Sequence, residues 1–230
     1  MTKRRPRPWH VFFLIFPYGA SFGFVAVALT YLAKERGVDV EAIGRVIALS
    51  FVPHAYKFLW APIVDATFSR RAWYVASSLL VATGTFVSAS APLGPSTIGN
   101  LTVIVVIAQI GLTLLGMACE GMIGHDMLAE SKPAAAAWLQ AGIFVGSGVG
   151  GSAGIELVDH LGGRTGGAIL GAAFLACGFP VFFFDAPRTS ERAELRPLAG
   201  LPPGLLARTP PRSDRILPAL AGRQAPRAQT

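Results

Sequence analysis

Two basic side chains inside one long apolar run are the residues best suited to chemistry. His54 and Lys57 stand three positions apart in the run 42–64. A charged group at the centre of a membrane-spanning helix costs about 3 kcal/mol or more, so it marks a pathway, a partner or an interface. A histidine titrates near neutral pH and can carry a proton, and a lysine can hold an anionic group. The structural alternative is a lysine that extends its charge to the interface and a histidine that bonds a neighbouring helix.

A second apolar run contributes two more polar residues. Gln109 stands near the middle of the run 101–119, and Glu120 directly follows that run. Glu120 can pair with Lys57, can pair with the basic residues of the loop 65–71, or can be a plain carboxylate at the interface. The predicted solute and ion pathway therefore consists of Lys57, His54, Glu120 and Gln109.

The composition shows what kind of elements must position these residues. Hydrophobic types make up 52% of the 230 residues and charged types only 14%, whereas a typical soluble domain carries about 25% charged residues. Disorder needs low hydrophobicity and high charge, so the chain as a whole is not disordered. The sequence predicts a polytopic membrane protein in contact with a lipid bilayer.

The chemistry that the sequence lacks narrows the function further. The two cysteines, Cys119 and Cys177, lie in apolar runs without zinc or disulfide spacing. We find no zinc-protease helix motif, no phosphate-binding loop and no nucleophile elbow. We therefore expect no enzyme, no cofactor and no metal site.

Six apolar runs have the length of about 20 residues that crosses the hydrocarbon. They are 9–32, 42–64, 72–92, 101–119, 135–158 and 166–184. Their length and their lack of alternation exclude the strands of a membrane barrel. The fold class predicted is all-α, with six transmembrane helices joined by short loops.

The six runs divide the chain into three regions. Residues 1–8 form a basic N-terminus, and residues 9–184 form the six-span bundle. Residues 185–230 carry 12 of the 33 charged residues and 8 of the 17 prolines. This bias toward proline, arginine and alanine predicts an irregular tail.

The distribution of lysine and arginine predicts the orientation in the membrane. With the N-terminus inside, the inner segments hold fifteen of these residues and the outer loops hold three. Positive residues collect on the cytoplasmic side, so both termini should be cytoplasmic in a cell (inner) membrane. The net charge of +7 sits in flanks and in the tail, which suits anionic lipid rather than nucleic acid.

The fifth run contains glycines spaced four positions apart, which places them on one helix face. Such small-residue stripes allow two membrane helices to approach closely. The predicted packing residues are Gly142, Gly146, Gly150 and Gly154.

The loop after the second run carries a recognisable pattern. It reads Ala61-Pro-Ile-Val-Asp65-Ala-Thr-Phe-Ser-Arg70-Arg71, an acidic residue followed by a basic pair. It resembles the signature loop between spans two and three of the major facilitator superfamily. With the preceding Tyr56-Lys57-Phe58-Leu59-Trp60, the stretch is most similar to the muropeptide permease (AmpG-like) branch and its acetyl-CoA transporter relatives.

The resemblance implies a facilitator-type secondary transporter. Asp65, Arg70 and Arg71 would then form a loop that latches one conformation. The solute would be polar or anionic, such as a peptidoglycan fragment, and protons would drive its movement by symport.

Family members usually have twelve spans in two six-span halves, and this chain carries the spans of the N-terminal half. We therefore expect a second half, supplied by a homodimer or by a separate polypeptide. The alternative is a truncated or frame-shifted fragment without transport activity, or an assembly partner of a separate second half.

Overall fold

The computed structural model describes residues 6–59, 67 and 69–184, and helices dominate these ranges, which contain no strand. The α-helices are α1 His10–Gly23, α2 Thr30–Glu35, α3 Val40–Ser50, α4 Val52–Ala55, α5 Arg70–Ser90, α6 Ile98–Asp126 and α7 Lys132–Cys177. A π-helix, Phe24–Leu29, joins α1 to α2, and 3-10 turns occupy Ala129–Ser131 and Phe179–Phe183. The predicted tail 185–230 and the first five residues lie outside the described ranges.

Four helical stretches of the described chain have the length and the apolar composition needed to cross a membrane. They are His10–Glu35, Arg70–Ser90, Ile98–Asp126 and Ala129–Phe183. The predicted runs 72–92 and 101–119 correspond to the second and third of these stretches. The prediction of an all-helical fold is confirmed for the described residues.

The last of these stretches is a hairpin rather than one straight rod. Gly162 has φ 80° and ψ 155°, a left-handed conformation that glycine adopts without steric cost. A Cβ on Gly166 would lie 2.6 Å from the carbonyl oxygen of Leu157, although a straight helix separates residues nine positions apart by about 13 Å. The chain therefore reverses at Gly162 into a first arm (132–161) and a second arm (163–177).

The first arm packs closely against α1 and its π-helical extension. A Cβ on Gly142 would lie 2.7 Å from the carbonyl oxygen of Phe12, and a Cβ on Gly154 would lie 2.8 Å from a ring carbon of Phe24. The residue numbers rise together along both partners, so the two helices run parallel. We call this contact the glycine seam; its glycines are Gly142, Gly146, Gly150 and Gly154.

The second arm packs against α5 in the opposite direction. A Cβ on Gly167 would lie 2.8 Å from the Cβ of Ala89, near the end of α5. At the other end of the arm, Gly178 faces the ring of Tyr74, near the start of α5. Along the contact, residue numbers increase in the second arm while they decrease in α5, so the two helices are antiparallel.

Helix α6 is also antiparallel to α5. Gly84 of α5 faces Ala108 of α6, and Gly121 lies against the side chain of Arg70 at the start of α5. The side chains of Leu112 and Leu115 on α6 are fully buried in the core that these helices share. This packing holds α6, which carries Gln109 and Glu120, against α5 and the core.

The chain between α2 and α5 is helical in short pieces. The Asp39 carboxylate accepts a hydrogen bond from the backbone N–H of Glu41 and caps the start of α3. Helix α3 ends at Ser50, and the single turn α4 begins next to Pro53, which cannot donate a backbone hydrogen bond. The described part of the predicted run 42–64 ends at 59, so only its first part is seen, and that part is interrupted.

Both ends of the described bundle lie at the same side of the molecule. The ring of His10, at the start of α1, stacks on the ring of Phe183 with 5.2 Å between centroids. Nearby, the Tyr74 hydroxyl donates a hydrogen bond of 2.9 Å to the carbonyl of Leu14. The first and last described helices are thus joined where the chain enters and leaves the bundle.

Candidate functional site

His54 joins three parts of the chain through its two ring nitrogens. Its Nδ1 lies 3.3 Å from the hydroxyl of Tyr18 on α1. Its Nε2 lies 3.0 Å from Oε1 of Gln109 on α6. Gln109 is only 2% exposed, so the polar contact is anchored inside the bundle. The imidazole is therefore held between two helices that do not neighbour it in sequence.

Aromatic rings surround this histidine on one side. The ring of Tyr18 meets that of His54 edge-on with 6.0 Å between centroids. Phe51 lies 6.4 Å from the imidazole and 5.7 Å from Phe22. Gly116 of α6 lets the Tyr18 ring approach, because a Cβ there would lie 3.2 Å from that ring. The rings restrict how the imidazole can turn.

Lys57 and Glu120 form an ion pair on the same side of the molecule. Lys57 Nζ lies 3.7 Å from Glu120 Oε1, and the two side chains are 53% and 57% exposed. A full charge-assisted hydrogen bond is about 2.8 Å long, so the pair is loose. Exposed pairs of this kind contribute about 0–1 kcal/mol to stability. Each charge therefore remains accessible to another partner.

The sequence left Glu120 as a possible partner of the basic loop residues, but Arg70 pairs with Asp126. Its guanidinium lies 3.7 Å from Asp126 Oδ1, and the side chains are 18% and 11% exposed. This contact joins the start of α5 to the end of α6. Of the open alternatives for Glu120, the structure therefore shows the pair with Lys57.

Arg71 binds the opposite end of the bundle through backbone carbonyls. It donates a hydrogen bond of 3.1 Å to the carbonyl of Phe182 and a second to that of Phe184. Carbonyls at the end of a helical segment lack partners within it and carry partial negative charge. A guanidinium supplies both the hydrogen-bond donors and the positive charge that such carbonyls need. Asp65, the acidic member of the predicted loop, lies outside the described residues.

The predicted pathway residues thus form two contacting pairs at different positions along α6. His54 contacts Gln109, and Lys57 contacts Glu120, which stands eleven positions further along α6. The turn at Tyr56 separates His54 from Lys57, so the two residues, although three positions apart, do not share one regular helix face. We call the whole set the polar column: Tyr18, His54, Gln109, Lys57 and Glu120.

Two residues of these contacts were missed from the sequence. Tyr18 lies about 12 Å along the helix from His10, and a hydroxyl at that depth needs a hydrogen-bond partner. That depth is a usable signal, but it does not identify the partner. Asp126 stands at the end of α6, where it reads as an ordinary interfacial carboxylate.

The chemistry available in the column is that of protons and anions. Across the described ranges, no group of three or more histidines, cysteines or carboxylates could hold a metal ion. An imidazole with two hydrogen-bond partners can gain and lose a proton, and a lysine beside a loosely held carboxylate can accept an anion in its place.

Two comparisons with known proteins bear on this arrangement. A family model described as Major Facilitator Superfamily matches residues 11–223. The match includes the polar column and the glycine seam. A search of curated proteins finds no match to the chain.

Proposed function

Because the chain belongs to the major facilitator superfamily, a family of secondary transporters in the membrane, we propose that it is a proton-coupled permease for a polar or anionic solute. The observation that supports this most directly is the polar column. Two interacting pairs of polar residues, with 3.0 Å and 3.7 Å between their atoms, join α6 to the chain segment 54–57. Ionisable groups in such a position are functional by default.

The proposed topology is six spans with both termini in the cytoplasm of a cell with an inner membrane. The reversal at Gly162 supports counting the last helical stretch twice. Helices α1, α5 and the first arm run in one direction, and α6 and the second arm run in the other. This pattern supports one further crossing, opposite in direction, between α1 and α5. The contact between His10 and Phe183 supports an even number of crossings, and the excess of lysine and arginine supports their side.

We assign the solute charge to Lys57. Its partner Glu120 is loosely held and half-exposed, so a carboxylate or phosphate of the solute can replace Glu120 beside the ammonium group. A peptidoglycan fragment carries such a carboxylate, and the similarity of the stretch 56–71 to muropeptide permeases favours that class. Once the solute has replaced it beside Lys57, Glu120 can bind a proton and hold it while the solute is bound.

The loop with Asp65, Arg70 and Arg71 would govern the change of conformation. Arg70 ties α5 to α6, and Arg71 ties α5 to the end of the last helical turn. A rocking bundle must keep such contacts intact while it moves against a second half. That half would be another copy or a separate polypeptide, and a parallel homodimer matches the relation between the two halves of the family.

Lys57→Ala tests the assigned path. The full chain is reconstituted in proteoliposomes with an imposed proton gradient, and uptake of a radiolabelled muropeptide is measured. We expect uptake to fall at least tenfold, because the anion loses its only assigned cation. The matched control is Arg45→Ala, since Arg45 belongs to the same part of the chain but is 71% exposed and paired with Glu41.

The uptake rates test the role of Lys57 and the transport function separately. Equal rates in Lys57→Ala and in the unaltered protein would remove Lys57 from the path. Folded, unaltered protein without any gradient-driven uptake would favour the alternative of an inactive fragment or an assembly partner.

A further inference from the structure

The hydrogen bonds around His54 determine which ring nitrogen carries its proton. Oε1 of Gln109 is an amide oxygen and can only accept a hydrogen bond. Nε2 of His54, 3.0 Å away, must therefore be the donor. A neutral imidazole has a single N–H, so Nδ1 is an acceptor and the Tyr18 hydroxyl, 3.3 Å from it, is the donor.

The same three groups also accommodate the charged imidazole. In the imidazolium both nitrogens donate. The bond from Nε2 to Gln109 then stays as it is, and Nδ1 needs an acceptor. A tyrosine hydroxyl offers lone pairs and rotates about its C–O bond, so a turn of the Tyr18 hydroxyl restores the second bond. Neither ring nitrogen loses its partner in either state.

We propose that Tyr18 is a positioning residue that fixes His54 as the Nε2–H tautomer and passes a proton to Nδ1. The role in coupling rests on the proposed function. A hydronium ion gives a proton to the Tyr18 oxygen and leaves as water, and Tyr18 gives its own proton to Nδ1. Two O–H bonds break, one in the hydronium ion and one in Tyr18, while one O–H bond forms on Tyr18 and one N–H bond forms on His54. Tyr18 ends neutral, and His54 gains one positive charge.

The surroundings of His54 make Tyr18 the entry to Nδ1. From α1 the titratable group is Tyr18 itself, and from α6 the contact is the neutral amide of Gln109. Lys57, on the same part of the chain, is paired with Glu120 of α6, so their charges offset each other. Phe51 packs its ring against the imidazole. Among these contacts, the Tyr18 hydroxyl is the hydrogen-bond partner of Nδ1.

The tautomer is measured by nitrogen NMR on full-length protein with ¹⁵N-labelled histidine in nanodiscs. His54→Gln identifies the His54 signals among those of the four histidines. Above the titration range, we expect the unaltered protein to show a protonated Nε2 and a bare Nδ1. Tyr18→Phe keeps the ring on Gly116 but removes the hydroxyl, and the Nδ1–H form should then rise to a visible fraction.

Proton-driven uptake gives a second readout. Hydrogen bonds to charged groups are the stronger ones, so Tyr18→Phe removes more from the imidazolium than from the neutral ring. Uptake driven by the proton gradient should therefore be slower in Tyr18→Phe than in the unaltered protein. Tyr31→Phe, which removes an exposed hydroxyl from the same helical stretch, should leave both the tautomer and the uptake unchanged.

Each outcome decides the inference. A protonated Nδ1 in the neutral ring of the unaltered protein, or a tautomer that Tyr18→Phe does not alter, would overturn it. The expected tautomer and its loss in Tyr18→Phe would support it. If these appear in a protein that shows no uptake, the positioning role stands and the proposed transport function fails.

Discussion

The glycine seam and the polar column are two places where segments distant in sequence meet, and they are built in opposite ways. In the seam, α1 and the first arm touch backbone to backbone, and four glycines leave no space for a side chain. In the column, the short helix α4 reaches α6 through the side chain of His54, and the residues just after α4 reach it through Lys57. One contact is continuous and apolar, and the other depends on a few polar atoms.

This difference separates the part that holds the bundle together from the part that can change. Close backbone packing is the main source of association between helices in lipid, where no hydrophobic force acts between them. Loose, half-exposed ion pairs contribute little to stability. The seam should therefore behave as a rigid unit, and the column should exchange partners without unfolding the protein.

The largest effect is expected where the seam is most tightly closed. A Cβ on Gly150 would overlap the backbone of Ala20, whereas a Cβ on Gly148 would meet nothing within 4 Å. Because a backbone cannot move aside as a side chain can, Gly150→Ala should lower the free energy of unfolding by about 3 kcal/mol. Thermal denaturation in detergent measures this loss, with Gly148→Ala as the matched control. Equal midpoints for the two variants would mean that the seam does not support the fold.

A smaller effect tests which force holds the seam. The Ser147 hydroxyl donates a hydrogen bond of 3.2 Å to the carbonyl of Gly19 across the contact. Such bonds between membrane helices contribute about 0.6 kcal/mol on average. Ser147→Ala should therefore lower the free energy of unfolding by about that amount in the same assay. A loss as large as that of Gly150→Ala would show that hydrogen bonding, rather than backbone packing, carries the seam.

The smallest effect on stability is expected in the column. Glu120→Gln removes one charge of the pair with Lys57, and the free energy of unfolding should change by less than about 0.5 kcal/mol. Uptake of the muropeptide should nevertheless fall, because a neutral amide cannot bind the proton that Glu120 is proposed to carry. If stability fell by several kcal/mol and transport did not change, the division between seam and column would be reversed.

The sequence was sufficient for the long helices because their signal is a run of apolar residues, whereas the run 42–64 did not predict the break between α3 and α4. The predicted run 72–92 differs from the observed Arg70–Ser90 by two residues at each end, and Ile98–Asp126 extends the run 101–119 past its apolar part. Those extensions contain polar residues that a hydropathy pattern assigns to loops. Membrane depth alone also sufficed to select His54, Lys57, Gln109 and Glu120 as candidates.

Partners could not be read from the sequence because they depend on how helices are arranged. The glycine stripe predicts a close contact but does not say that α1 is its partner. The basic pair at 70–71 reads as one feature, yet Arg70 pairs with a carboxylate and Arg71 with backbone carbonyls. Tyr18 resembles any interfacial aromatic residue until α4 places His54 against it.

The seam also dictates when during synthesis the bundle can close. Ser147 and Gly19, which meet across it, are 128 positions apart in the chain. A ribosome adds about 5–20 residues per second, so α1 enters the membrane roughly 6–25 s before its matching surface on the first arm has been made. During that interval lipid tails or an insertion factor must cover the small-residue face of α1. Helix α1 therefore waits longer for the first arm than for α5, whose Tyr74 bonds the carbonyl of Leu14.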